Sequence, residues 1–291
     1  MRSGVRAGGA SLRWAAVLAI GLLSARGALA APQTCPSTSG TSRCEVATGD
    51  TDVVVLADAD GSRLLVDSWS VGGVSQLAYE GVTLRLSSSQ TLNVTLEEAS
   101  VDPATGAIFL SYLESGNHVR LTATFAVSDS GPISRLDETL SVTSLSQSVS
   151  LRLYVVTDFD LDGSSTDDSA VSSADGIVFM QEDGGMTGQV VVVSPPPDAF
   201  QVDVCCELGA IIDQDATFDL SGATYAAGPD NFQHALSWDR TLGAGLTLTT
   251  VLRKTIAVPE PAAGLGAAVA ILALLGLVGG RASREDYSRS W

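Results

Sequence analysis

Between residues 31 and 257 apolar and polar side chains alternate with a period of two. Leu121, Ala123, Phe125 and Val127 fall on one side and Arg120, Thr122 and Thr124 on the other, the pattern of a strand with one face in a core and one in water. The same reading predicts strands over 53–56, 63–68, 82–86, 92–96, 108–113, 119–127, 135–142, 150–156, 176–180, 190–193, 217–220 and 246–253. Turn chemistry separates them at Asp60-Gly61, Gly72-Gly73, Asp102-Pro103, Gly116-Asn117, Gly131-Pro132, Asp183-Gly184 and Gly228-Pro229. Ser194–Asp198 holds three consecutive prolines, which cannot pair in a central strand, so an exposed loop is expected there. Helix signals are nearly absent, and the spacing predicts an all-β fold, an antiparallel β-sandwich around one core.

Two stretches leave this pattern. At the start, Arg2, Arg6 and Arg13 accompany an apolar run over 14–23 and the small residues of Ala28-Leu29-Ala30, which is the order of a secretory signal peptide cleaved after Ala30. At the end, Val258, Pro259, Glu260 and Pro261 precede an uncharged apolar run over 262–280 and a basic tail over 281–291 that opens with Arg281 and Arg284. A helix over 262–280 reaches about 28 Å, close to the roughly 30 Å hydrocarbon core of a bilayer, so one C-terminal transmembrane helix is expected. The prolines bound its start and the arginines hold its end in the cytoplasm. The chain therefore divides into a signal peptide (1–30), an exported sandwich (31–257) and a tethering segment (258–291).

A box of Val-Pro-Glu-Pro, a membrane helix and a basic end together resemble the PEP-CTERM sorting signal. The resemblance implies an exosortase-type peptidase as processing partner. It also implies an inner-membrane intermediate, followed by the cell surface or extracellular matrix of a Gram-negative bacterium. The phrases at 68–74, 135–138, 154–168 and 231–238 are similar to a recurring group of β-rich PEP-CTERM surface proteins without an established activity, although residues 285–291 extend past that group's usual ending.

Charge narrows the partners. The net charge of −17 repels nucleic acid and anionic lipid head groups and favours cations or basic partners. Only His118 and His234 could supply an imidazole base, and neither lies in a catalytic motif; no Gly-x-Ser-x-Gly elbow or phosphate loop is present. Acidic residues are so many that no carboxylate pair stands out, and no enzymatic activity is expected. The expected role is structural or interactive at the cell surface. The alternative is a carbohydrate-binding sandwich acting on extracellular polysaccharide, with an exposed Trp69 or Trp238 as its contact.

Asp58-x-Asp60-Gly61 reads as a hairpin turn. Asp158, Asp160 and Asp162, then Gly163, Asp167 and Asp168, match the first half of a calcium loop, while Ser169 stands where such a loop would place a glutamate. Two readings remain, a structural calcium ion and a solvated acidic loop. Asp158 and Asp160 would lie about 6.8 Å apart in an extended strand, so a shared ion requires the chain to curl at Gly163. The cysteines Cys35, Cys44, Cys205 and Cys206 all fall in the exported part, where thiols oxidise. Across a trans peptide the adjacent pair would have Cα atoms about 3.8 Å apart, short of the usual 4.4 to 6.8 Å. Cys35 and Cys44 are therefore expected to bridge to Cys205 and Cys206; a zinc site lacks the usual Cys-x-x-Cys pair.

Overall fold

The computed structural model describes residues 31–59, 64–77, 79–86, 94–164, 167–206, 208–209, 212, 218–222 and 226–259. Across a ten-stranded sheet the order is β1 (Gln33–Thr34), β8 (Val94–Val101), β9 (Ile108–Glu114), β10 (Val119–Asp129), β11 (Ile133–Ser144), β19 (Thr247–Ala257), β15 (Met186–Ser194), β14 (Val178–Asp183), β13 (Asp168–Ser172) and β17 (Ala226–Asp230). A nine-stranded sheet runs β16 (Ala199–Val204), β18 (Phe232–Leu242), β12 (Val149–Asp158), β7 (Tyr79–Leu86), β5 (Leu64–Val71), β4 (Thr51–Asp58), β3 (Thr41–Thr48) and β2 (Ser37–Thr38), with β6 (Val74–Ser75) also on β5. The pairings are antiparallel, as the alternating pattern requires when one face is dry and the other wet.

The inner faces of both sheets meet in one hydrophobic cluster that takes in Val53, Trp69, Leu121, Ala123, Phe125, Leu140, Leu153, Phe179, Leu236 and Leu252. Leu121, Ala123 and Phe125 point inward as their spacing predicts, while Thr122 and Thr124 stay half-exposed on the other side. The proline run leaves the sheets after Ser194 as expected. Trp69 and Trp238 are fully buried, which corrects the expectation that one of them is exposed. Their polar ends explain the placement: Trp69 Nε1 donates to Ser134 Oγ of the opposite sheet at 2.8 Å, and Trp238 Nε1 donates to the Pro195 carbonyl at 3.1 Å.

Several elements differ from the sequence reading. Residues 218–220 do not pair as a strand. Phe218 and Leu220 instead lie with Leu208 and Ile212 over the outer side of β12 and β18, against Tyr154, Val156 and Ala235. That cover buries β18 on both faces, which is why its sequence, FQHALSWDRTL, shows no clean alternation. β3 was also unforeseen, because its inward positions include the small residues Ser42 and Cys44 beside Val46. The cysteines pair as Cys35–Cys44, with Cα atoms 5.1 Å apart, and Cys205–Cys206, joined across a cis peptide with Cα atoms 3.1 Å apart. The expected long-range bridges are absent for a topological reason. β3, which carries Cys44, and β16, which Cys205 and Cys206 follow, are separated by five strands, which at about 4.8 Å per strand puts the two cysteine pairs far beyond bonding distance.

Residues 1–30, Glu260, Pro261, the apolar run 262–280 and the tail 281–291 lie outside the described residues. Among the described residues no helix is long and apolar enough to cross a membrane. Val258 and Pro259 are described, and Val258 N donates to the Pro132 carbonyl at 2.8 Å as the chain leaves β19.

Candidate functional site

Three polar regions stand out, one between the sheets, one at an end of the sandwich and one on an open face. The first begins with a row across the inner face of the nine-stranded sheet. Register places Val66, Glu80, Thr157, His234 and Val202 side by side on five strands. Facing Glu80 from the other sheet are Glu138 and Lys254; all three are fully buried. Lys254 Nζ donates to Glu138 Oε2 at 2.7 Å and makes an ion pair with Glu80 Oε2. One ammonium between two carboxylates leaves a surplus negative charge in a dry interior. Burial, and then the Glu138 charge, push Glu80 up to about 8. Burial opposes the charge on Lys254, but Glu138 and Glu80 outweigh it and hold its pKa above the ordinary value. His234 stacks on Phe179 with ring centroids 4.7 Å apart, and burial, then Lys254, push it down to about 3. A neutral His234 without access to water suits packing rather than proton transfer to a solute.

At one end of the sandwich, β12 runs into the acidic segment, where the 3-10 turn Leu161–Gly163 reverses the chain. Gly163 (φ +81°) and Asp162 (φ +58°) take the left-handed backbone, so the curl expected at Gly163 is present. Ser164 N donates to Asp162 Oδ1 at 3.1 Å, and Ser164 Oγ donates to Asp167. The alternation of the two strands then divides the expected ligand set. Asp158 shares the outer face of β12 with Tyr154 and Val156, whereas Asp168 shares the inner face of β13 with Ala170. Asp158 Oδ2 accepts from Gln233 Nε2 at 3.1 Å and lies 3.1 Å from Cys205 Sγ. Burial pushes Asp158 up to about 7, with Gln233 acting against the rise and Asp160 adding to it.

Burial likewise pushes Asp168 up to about 7; Gln181 opposes the rise, while Asp183, Asp160 and Asp167 add to it. Asp183, at the end of β14, is raised by burial and then by Asp162 and Asp167. The cluster on this side therefore comprises Asp160, Asp162, Asp167, Asp168 and Asp183, with Asp158 turned away from it. Asp183 and Gln181 were missed in the sequence because they sit on a later strand. Their signal is only the inward register of Phe179, Gln181 and Asp183 along β14. Among the described residues, one group of ligand-type atoms lies within 4.8 Å of one another, that of Asp158, Cys205 and Cys206. Its sulfurs are bonded to each other and offer no thiolate to a metal.

The third region is the outer face of the ten-stranded sheet. Thr122 and Thr124 of β10, Thr139, Ser141 and Thr143 of β11, and Thr247 and Thr249 of β19 line adjacent strands. Ser141 and Thr249 share a hydrogen bond of 3.0 Å, and Thr143 and Thr247 one of 2.9 Å. Arg253 Nε donates to Asp137 Oδ1 at 3.0 Å in the same face. Threonine is stiff about χ1, so these hydroxyls are held in place before any ligand arrives.

No family model and no curated protein matches the sequence. Among solved structures, a putative aldose 1-epimerase from Escherichia coli K12 superposes with a TM-score of 0.55 at 11% identity, covering 76% of this chain and 100% of that one. A bacterial glucoamylase complexed with acarbose superposes with a TM-score of 0.51 at 9% identity, covering 85% of this chain and 36% of that one. At these identities the likeness is one of fold. It corrects the expectation that the chain is not an enzyme. That expectation rests on missing sequence motifs, and a similar fold makes up the whole of the putative epimerase and part of the glucoamylase.

Proposed function

We propose that the protein is an exported carbohydrate-binding β-sandwich of the cell surface, and that the hydroxyl-rich outer face of the ten-stranded sheet meets the sugar. The observation that carries this reading is the superposition on the full length of the putative aldose 1-epimerase. The open face supports it chemically. Fixed threonine and serine hydroxyls, with the Arg253–Asp137 pair among them, offer donors and acceptors to sugar hydroxyls at little entropic cost. Export and tethering are supported by the sequence alone, through the segments 1–30 and 258–291. The resemblance of the latter makes an exosortase-type peptidase the partner that acts near Pro259 and Pro261. Fractionation of cells with mass spectrometry of the C-terminus tests that half; a cytosolic chain with both ends intact would contradict it.

The binding half is tested by co-sedimentation with extracellular polysaccharide from the producing cells. Wild type is expected in the pellet, and Arg253→Ala with Asp137→Ala is expected to lower the bound fraction at least fivefold without changing the circular dichroism spectrum. Equal binding by both proteins would move the contact off this face, and no binding by either would remove the carbohydrate reading. Polarimetry on free aldoses, run with the same preparations, reports whether binding extends to mutarotation.

A further inference from the structure

Four oxygens at the acidic end share one property. Asp160 Oδ1, Asp168 Oδ1, Gln181 Oε1 and Asp183 Oδ2 are buried and receive no hydrogen bond from the protein. Asp168 and Gln181 are fully enclosed as residues. The orientation of Gln181 is fixed by its other end: Nε2 donates to the Phe159 carbonyl at 2.6 Å and to Asp168 Oδ2 at 2.5 Å, so Oε1 is the free oxygen. All four atoms are acceptors, and three belong to groups that repel one another. Asp162, brought within hydrogen-bond reach of Asp183, adds a further carboxylate. Leaving such atoms unpaired is costly, and hydrogen bonds among themselves cannot satisfy them while they are ionised.

We propose that this end of the sandwich is a calcium site formed by Asp160, Asp168, Asp183 and Gln181, with Asp162 at its rim, and that Asp158 is not a ligand. A divalent cation answers all the unpaired oxygens at once and removes the repulsion between the carboxylates. The donors are hard oxygens, four carboxylates and one amide, which excludes thiophilic metals. They come from an irregular turn and two strands, β13 and β14, rather than from an octahedral frame, which suits the flexible six- to eight-fold coordination of calcium better than magnesium. No three of these carboxylates bring ligand oxygens within 4.8 Å of one another in the structure, so the ion draws Asp160, Asp168 and Asp183 together as it binds. The Gly184–Gly185 turn joins this site to the chain's exit. A Cβ on Gly184 would stand 3.5 Å from Asp162 Oδ2, and one on Gly185 would stand 3.8 Å from Pro259 Cγ. Calcium therefore stiffens the turn against which Pro259 rests. The site is separate from the hydroxyl face and does not depend on the carbohydrate reading.

The test is isothermal titration of the purified chain with calcium chloride, beside thermal melts in 10 mM calcium and in chelator. One ion per chain is expected, with a dissociation constant of about 0.1 to 1 mM and a melting temperature about 3 to 10 °C higher with calcium. Asp168→Asn with Asp183→Asn is expected to abolish both effects, and Glu45→Gln, on the far edge of the other sheet, to leave them unchanged. If the double variant does not fold, Asp183→Asn alone decides, since its carboxyl is partly exposed. A tenfold or greater loss of affinity supports the site. Unchanged affinity in that variant, or identical wild-type melts in calcium and chelator, overturns it.

Discussion

Lys254 shows how far a single residue's neighbours can decide its behaviour. In the sequence it is a lysine in a strand; in the fold it is, among the described residues, the sole cation paired with Glu80 and Glu138 inside the sandwich. Removing it leaves two buried carboxyl groups without their cation partner, so Lys254→Met is expected to cost about 3 to 5 kcal/mol in urea unfolding. Adding Glu80→Gln and Glu138→Gln should recover part of that loss, because an all-neutral set no longer needs the ammonium. Glu80 also gives stability a pH dependence. Unfolded, it ionises near 4.5; folded, near 8. The folded chain therefore holds an extra proton between these values, and this stabilisation is full below about pH 4.5 and lost as pH rises through 8. His234 acts in the opposite sense, since its folded value of about 3 lies below the unfolded 6.5 and its contribution is lost only as pH falls. Between pH 6.5 and 8 the Glu80 effect is unopposed by His234. Stability is expected to fall there by up to about 1.4 kcal/mol per pH unit from this group, and Glu80→Gln should remove that share of the slope in denaturant titrations.

Among the elements, strands with one wet face were legible and strands without one were not. β10 and β11 alternate cleanly and were placed within a few residues, whereas β18 lies under a second layer of chain and reads as a mixture. The Cys35–Cys44 bond was missed because the sequence does not show that the short strands β1 and β2 fold Cys35 back onto β3. The bond closes a short loop, so Cys35→Ser with Cys44→Ser is expected to cost about 2 to 3 kcal/mol in the chain-entropy account, measured by unfolding with and without reductant. The acidic loop illustrates the same limit. Its curl at Gly163 was readable, but the division of its carboxylates between two faces follows from the registers of β12 and β13. Its further acid, Asp183, comes from β14. Close packing fixes this end from inside as well: a Cβ on Gly188 would meet the Phe159 ring at 3.0 Å. Gly188→Ala is expected to destabilise by about 1 to 3 kcal/mol and to weaken calcium binding by shifting the turn behind Phe159.

For the molecule as a whole, composition and the two ends pointed to an exported acidic β-sandwich, and the two packed antiparallel sheets agree with the sandwich. Activity was less legible, because absent motifs argued against an enzyme while the fold is similar to that of a putative aldose 1-epimerase. An exposed tryptophan is the sugar contact the sequence suggests, but both candidates are buried, and the open polar face is the surface left to meet a sugar. With a net charge of −17, the protein should favour neutral over anionic glycans, since like charges disfavour association at moderate salt. The most direct measurement is a glycan array probed with the full chain in calcium. Saturable binding to neutral polysaccharides, weaker on uronate-rich or sulfated ones and reduced by Arg253→Ala with Asp137→Ala, is the predicted result. Signal no higher than background across every glycan class would contradict the account.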